Sequence, residues 1–224
     1  MDTTEESSQE PYLPDWVLSD PQLIPIGGDL VAVGADLTTE RILYAYSNGI
    51  FPWYEEEPVL WWSPDPRAIL DLENFHIPRR LARIIRSEKF QITYNQKFSE
   101  VIRGCAENRP EGTWITDDMI TAYTKLHQLG NVHSVECWRD HQLVGGIYGI
   151  AVGGFFAGES MFYRESDASK VALVSLVKHL DRRGFTLFDL QIINDHTESL
   201  GAVEISREVY LEKLQAAIGL AVKF

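Results

Sequence analysis

Between Leu143 and Gly158 the chain carries no charged residue, yet it holds glycines at 145, 146, 149, 153, 154 and 158. The run is shorter than the roughly 20 apolar residues a membrane helix needs, and glycine at this density disfavours any helix. Paired strands remain. The pattern predicts strands over 133–138, 143–152 and 155–162, turned at Arg139-Asp140-His141 and at Gly153-Gly154. Three consecutive strands with short turns make an antiparallel meander, and everything else in the chain must pack against it.

The flanking segments have the helical period. Pro78 stands near the start of a helix over 76–88 with Ile77, Leu81, Ile84 and Ile85 on one face. Asn95 and Thr116 are candidate caps for two further helices, the second ending at Gly130. Ser166 is a candidate cap for a helix with an apolar stripe at Leu173, Leu176, Val177 and Leu180, stopped by Gly184 before a strand over 185–191. Ser206 caps a last helix over 207–218. Upstream, Thr38 opens a short helix that Asn48-Gly49 closes. The proline-punctuated run Trp61-Trp62-Ser63-Pro64-Asp65-Pro66-Arg67 marks a boundary. The expected fold is α+β in two parts: an N-terminal domain over 1–65 with a flexible acidic tail, and a C-terminal domain over 66–224 with a mostly antiparallel sheet.

A length of 224 residues suffices for a core without covalent staples, so Cys105 and Cys137 need no bridge, and a reducing cytosol is the expected home. The start of the chain has neither the basic residues nor the apolar block of a secretory signal. With 33 acids and 20 bases the net charge is −13, which argues against indiscriminate binding to nucleic acid. The charge is unevenly spread, however. Residues 1–40 hold nine acids and no base, whereas residues 61–110 hold nine bases and six acids. Within that basic segment Arg79, Arg83 and Arg86 recur at i, i+4 and i+7, with Arg80 beside them. Such a stripe suits either a solvated helix face or contact with phosphates.

Few residues offer chemistry. On a regular strand Asp189 and Gln191 share a face, and Glu159 sits among apolar neighbours where an unpaired carboxylate is costly to bury. Gly158-Glu159-Ser160-Met161-Phe162 lacks the final glycine of a nucleophile elbow, and no short-spaced His or Cys set suggests a metal. His133 and His196 are possible bases but have no visible partner in sequence, so a hydrogen-bonding structural role is expected of them. Trp53, Trp61 and Trp62 flank the boundary, where an aromatic serves equally for packing or for stacking a nucleobase.

Taken in order, Gly27-Gly28-Asp29-Leu30, Gly49-Ile50-Phe51-Pro52-Trp53, the Trp61-to-Arg67 run, Gly112-Thr113-Trp114-Ile115, His133-Ser134-Val135-Glu136, Gly158-Glu159-Ser160-Met161-Phe162, Ala168-Ser169-Lys170 and Ser199-Leu200-Gly201-Ala202 resemble the motif series of the bacterial leucyl/phenylalanyl-tRNA-protein transferases. The resemblance spans about residues 25–215. It implies a C-terminal domain like the GCN5-related N-acyltransferases. It also implies transfer of Leu or Phe, and weakly Met, from Leu-tRNA or Phe-tRNA to proteins with an N-terminal Arg or Lys, marking them for degradation. By motif it implies Glu159, Asp189 and Gln191 as catalytic residues, Trp53 and Trp114 at the aminoacyl-adenosine, and Phe156, Met161, Leu173 and Phe188 around an apolar amino-acid pocket. The sequence departs from the pattern at Tyr163, Asp167 and Leu190, and in its acidic extension.

The chemistry is self-sufficient. An aminoacyl ester is already activated, so its aminolysis needs no cofactor and no metal; the protein must align an amine with a carbonyl and manage protons. On this reading the Arg79, Arg80, Arg83 and Arg86 stripe meets tRNA phosphates. Two other readings compete: an acyl-CoA-dependent acetyltransferase, which the glycine-free stretch 161–171 disfavours, and a non-catalytic adaptor for basic N-termini.

Overall fold

The computed structural model describes residues 13–72, 75–107 and 112–224; residues 1–12, at the start of the expected acidic tail, lie outside them. In chain order the elements are α1 (Asp15–Ser19), β1 (Leu23–Pro25), β2 (Leu30–Gly34), α2 (Thr39–Ser47), β3 (Phe51–Pro52), β4 (Leu60–Trp62), β5 (Arg67–Leu70), α3 (Arg79–Arg86) and β6 (Gln91–Tyr94). There follow α4 (Phe98–Ala106), α5 (Asp117–Gln128), β7 (Val132–Arg139), β8 (Gln142–Val152), β9 (Phe155–Tyr163), α6 (Ala168–Arg183), β10 (Leu187–Gln191), α7 (Asp195–Glu198), β11 (Ala202–Ile205) and α8 (Arg207–Ile218). The class is α+β, as expected. A four-stranded sheet in the order β1-β2-β4-β3 uses the N-terminal strands, and a seven-stranded sheet in the order β11-β5-β10-β9-β8-β7-β6 uses the rest.

The meander forms as its glycines and turns dictate. Asp140 and His141, both with positive φ, make the two-residue turn between β7 and β8. Thr116 and Ser206 cap α5 and α8 through their side chains, and Gly184 ends α6 in the left-handed conformation. Two expected caps differ. Asn95 adopts a positive φ ahead of α4 and accepts the Ser134 N–H, so it ties a loop to β7 and caps nothing. Asp167, and not Ser166, is the residue before α6.

Alternation along β8 and β9 divides the core in two. Tyr148, Ile150, Phe155 and Ala157 face α4, α5, α8 and the N-terminal elements, whereas Ile147, Ala151 and Phe156 face α6. The strand expected at 185–191 begins at Leu187 and runs parallel to β9, one parallel pair in an otherwise antiparallel sheet. That ladder matches Leu187–Asp189 with Phe155–Ala157 and stops after three pairs.

Just beyond its end both strands are irregular. In β9, Tyr148 of β8 faces Ser160 and Gly149 faces Gly158, which leaves Glu159 as the extra residue of a bulge. The approach there is so close that a Cβ on Gly149 would lie 2.2 Å from the Ala157 carbonyl oxygen. In β10 the register slips against β5 so that Asp189 faces Ile69 and Gln191 faces Ala68, which leaves Leu190 extra and Gln191 at φ +66°.

A buried ion pair fixes this corner. Arg67, first residue of β5 and 1% exposed, donates Nε–H to Asp189 Oδ1 at 2.9 Å and Nη2–H to Oδ2 at 2.7 Å. Its Nη1 reaches the Gly49 carbonyl oxygen at 3.0 Å, and its guanidinium lies over the rings of Phe51 and Tyr210. Tyr210 of α8 donates its hydroxyl to Asp189 Oδ2 at 2.9 Å, and the Gln191 backbone N–H donates to Oδ1 at 2.8 Å. One bidentate pair thus joins the segment after α2, β5, β10 and α8.

Removing one member of such a pair strands a buried charge. Arg67→Ala should lose about 3–5 kcal/mol of stability, while Tyr210→Phe, which deletes one donor to a carboxylate, should lose about 1.5–3 kcal/mol. Urea denaturation midpoints measure both; equal, sub-kilocalorie losses would show that the pair does not hold the corner.

Candidate active site

The two bulges face each other across the gap where the β9–β10 ladder has ended. Glu159, 8% exposed, accepts a hydrogen bond from Gln191 Nε2 at 3.1 Å. Two phenols complete its shell: Tyr46 of α2 donates to Oε1 at 2.7 Å and Tyr123 of α5 donates to Oε2 at 3.2 Å, with 2.7 Å between the two hydroxyl oxygens. None of these partners carries a compensating charge. Burial pushes the Glu159 carboxyl up to about 7, against the pull of the hydrogen bonds from Tyr46 and Tyr123. The same burial, with the neighbouring carboxylate, raises both tyrosines well above their usual range, so they stay neutral.

Asp189 is the opposite case. It is fully buried, and its carboxylate is taken up by Arg67, Tyr210 and the Gln191 backbone N–H. The strict alternation of a flat strand, which was to set Asp189 and Gln191 side by side, fails at Leu190. Asp189 holds the Gln191 backbone, and the Gln191 amide turns to Glu159 instead.

Two cavities meet at this point. One, of about 180 Å³, is lined by Phe51, Pro52, Trp53, Trp114, Glu159, Leu190, Gln191 and Ile192. The other, of about 300 Å³, runs from the same Trp114, Glu159, Leu190 and Gln191 past Ile147, Gly158, Met161 and Leu173 to Asn194 and Thr197. The four shared residues form a neck with an acid and an amide on it, an aromatic-walled chamber on one side and an apolar chamber on the other.

The sequence-derived residues divide accordingly. Glu159, Gln191, Trp53, Trp114, Met161 and Leu173 line the cavities. Phe156 and Phe188 do not: both are fully buried behind the wall, with the Phe188 ring 2.9 Å from where a Gly158 Cβ would stand. Arg79, Arg80, Arg83 and Arg86 are exposed on α3, whose Leu81 anchors it to the core against α6; Arg80 pairs with Asp167 at 3.3 Å. His133 shares a hydrogen bond with Asn95 and stacks on Phe224, and burial lowers it to about 4, so it is a neutral structural group away from both cavities. The His196 side chain lies outside the described residues. Among the described residues no cluster of His, Cys, Asp or Glu could hold a metal ion, and no helix is long and apolar enough to cross a membrane.

Sequence reasoning missed Tyr46, Tyr123, Arg67, Tyr210 and Ile147. A tyrosine at helical spacing is indistinguishable from an apolar stripe residue, since one polar atom at the end of a ring leaves no mark on periodicity. Arg67 did carry a signal, as the one base in an aromatic and proline-rich run.

Comparison with known proteins gives a consistent answer. Residues 35–65 match the family described as leucyl/phenylalanyl-tRNA protein transferase N-terminal domain, and residues 69–215 match leucyl/phenylalanyl-tRNA protein transferase. A leucyl/phenylalanyl-tRNA–protein transferase of Citrobacter koseri is 52% identical over 186 residues, covering 83% of this chain and 80% of that protein. Another from Shewanella sp. strain W3-18-1 is 49% identical over 204 residues, covering 90% and 84%. Among solved structures, L-PGS from Bacillus licheniformis aligns with a TM-score of 0.47 at 13% identity over 69% of this chain and 65% of that one. With both parts matched in order and about half of the aligned residues identical to these relatives, the chain belongs to the leucyl/phenylalanyl-tRNA–protein transferase family and is a transferase.

Proposed function

We propose that this chain transfers Leu or Phe, and weakly Met, from aminoacyl-tRNA in the cytoplasm to proteins with an N-terminal Arg or Lys, and that the new terminus marks the acceptor for degradation. One observation carries the mechanism: a buried carboxyl with only neutral donors stands at the neck between an aromatic and an apolar chamber. The terminal adenosine stacks in the chamber of Trp53 and Trp114, the aminoacyl side chain enters that of Ile147, Met161 and Leu173, and the ester bond lies at the neck. Phe156 and Phe188 stiffen the apolar wall from behind.

The acceptor arrives as an ammonium. An ordinary glutamate, near 4.3, is a weak base toward an α-amine of about 7.7–8.0. Glu159 at about 7 lies within roughly one unit of it, so the transfer of a proton is close to balanced. Glu159 takes one proton, and the freed lone pair forms the C–N bond to the ester carbonyl. The C–O bond to the ribose then breaks, the second ammonium proton passes from nitrogen to the leaving oxygen, and Glu159 returns its proton to solvent. Gln191, donating to Glu159 through its N–H, turns its amide oxygen to the incoming nitrogen. Asp189 acts through Gln191, as a positioning residue.

Transfer of labelled Leu from tRNA to an Arg-initiated peptide tests the reading directly; absence of peptide-linked label would reject it. Single-turnover rates should rise through pH 7 and again near the amine value. Glu159→Gln should remove the first limb and reduce the rate by about 10²–10⁴-fold. The same substitution has a stability signature. A carboxyl raised in the folded state contributes fully below about 4.5 and loses that contribution as pH passes through about 7. Glu159→Gln should therefore gain about 2–3 kcal/mol on the native enzyme between pH 5 and pH 8. A constant difference across that window would mean that Glu159 is not raised.

Selectivity should follow pocket shape. Apolar pockets separate side chains by about 1–3 kcal/mol, so Leu should exceed Ile and Val by about 10–200-fold in competition, the β-branch being the misfit. Equal transfer of Ile and Leu would contradict this. Replacing Arg79, Arg80, Arg83 and Arg86 by Ala should weaken tRNA binding and lower the slope of log K against log salt; an unchanged slope would leave the stripe a solvated face.

A further inference from the structure

We infer that Tyr46 and Tyr123 are positioning residues that close a four-oxygen hydrogen-bond ring with the Glu159 carboxyl, and that through this ring the carboxyl takes up and releases the proton of the acceptor amine. The inference deepens the reading of Glu159 as base and rests on it. Its ground is a count of hydrogens. The three contacts are Tyr46 to Oε1, Tyr123 to Oε2 and Tyr46 to Tyr123. Each phenol supplies one hydrogen. With Glu159 ionised, two hydrogens serve three contacts: both phenols donate to the carboxylate, and the Tyr46–Tyr123 contact has no hydrogen of its own. With Glu159 protonated there are three hydrogens for three contacts, and the ring closes: carboxyl to Tyr123, Tyr123 to Tyr46, Tyr46 to the other carboxyl oxygen. Such a ring is cooperative, and a proton arriving at either oxygen is shared by both.

The surroundings fit a proton store. The groups facing Glu159 are Tyr46 from α2, Tyr123 from α5 and the Gln191 amide from β10, none of them a cation. A further charge acting on Glu159 is that of Asp189, whose carboxylate is bound by Arg67 from β5 and Tyr210 from α8, and Tyr54 adds its influence on Tyr123. A guanidinium against Glu159, like the one against Asp189, would lock it ionised. Neutral phenols favour the carboxylate only in part, so the group remains able to gain and lose a proton. Tyr46 also comes from the N-terminal elements, so the ring closes only when these are docked on the large sheet.

The test is the pH dependence of single-turnover transfer from saturating Leu-tRNA to an Arg-initiated peptide, on the full chain. Ionised Glu159 accepts from both phenols, whereas protonated Glu159 accepts from one and donates to the other, so Tyr46→Phe and Tyr123→Phe each cost the ionised form more, and the limb that Glu159→Gln abolishes should move to higher pH by about 0.5–1 unit, with the KM for Leu-tRNA unchanged. In the Glu159→Gln background neither should move the profile. Site-specific 3-fluorotyrosine at position 46 keeps the ring's shape and donates more strongly, so the limb should move to lower pH, which tests the inference even where a Phe variant does not fold. A uniform fall in rate at every pH, with the limb unmoved, would overturn the ring and leave Glu159 as base. A wild-type profile whose limb survives Glu159→Gln would overturn the reading of Glu159 itself.

Discussion

The Arg67–Asp189 ion pair is the constraint on which the site depends. Its two hydrogen bonds are parallel and dry, and the remaining Asp189 capacity goes to Tyr210 and to the Gln191 backbone. A charge that deep is costly to desolvate, and a pair of this kind gives little net stability relative to a well-packed apolar pair. What it supplies is position. Gln191 sits at positive φ on a strand that has just slipped register, a conformation other than glycine seldom adopts unless its neighbours impose it. The hydrogen bond to Asp189 imposes it, and the amide is thereby aimed at Glu159.

Two carboxylates on neighbouring strands thus have opposite fates for one physical reason, the charge of their partners. Asp189 faces a guanidinium, which holds it in place. Glu159 faces two phenols and an amide, which satisfy its oxygens without cancelling its charge. In an aminolysis that needs neither redox chemistry nor further activation of its ester, the protein's tasks are alignment and proton transfer. On the mechanism proposed, the first carboxylate serves alignment and the second serves the proton. The bulges make this possible: a regular parallel ladder would have continued past Ala157 and Asp189 and closed the gap in which the two cavities meet.

Much of the fold was legible because it follows from local rules. The glycine-punctuated run forced strands, Thr116, Ser206 and Gly184 set helix ends, and the α3 arginines fell on one exposed face. The misreadings share a cause. Asp189 and Gln191 were expected side by side because alternation assumes a regular strand, and a bulge is a property of pairing with β5 that one strand's sequence does not display. Phe156 and Phe188 have the composition of pocket residues, but their burial behind Gly158 depends on packing between strands. Tyr46 and Tyr123 join across 77 positions of chain, and no local pattern registers such a meeting.

The central claim is that Glu159 is kept dry and uncompensated so that it titrates near neutrality. Its carboxyl stretch is directly observable by infrared difference spectroscopy across pH, with the Glu159→Gln variant supplying the assignment. A protonated-carboxyl band that disappears with a midpoint near 7, and is absent from the variant, is the predicted result. A band already lost by about pH 5, as for a solvated glutamate, would contradict the account.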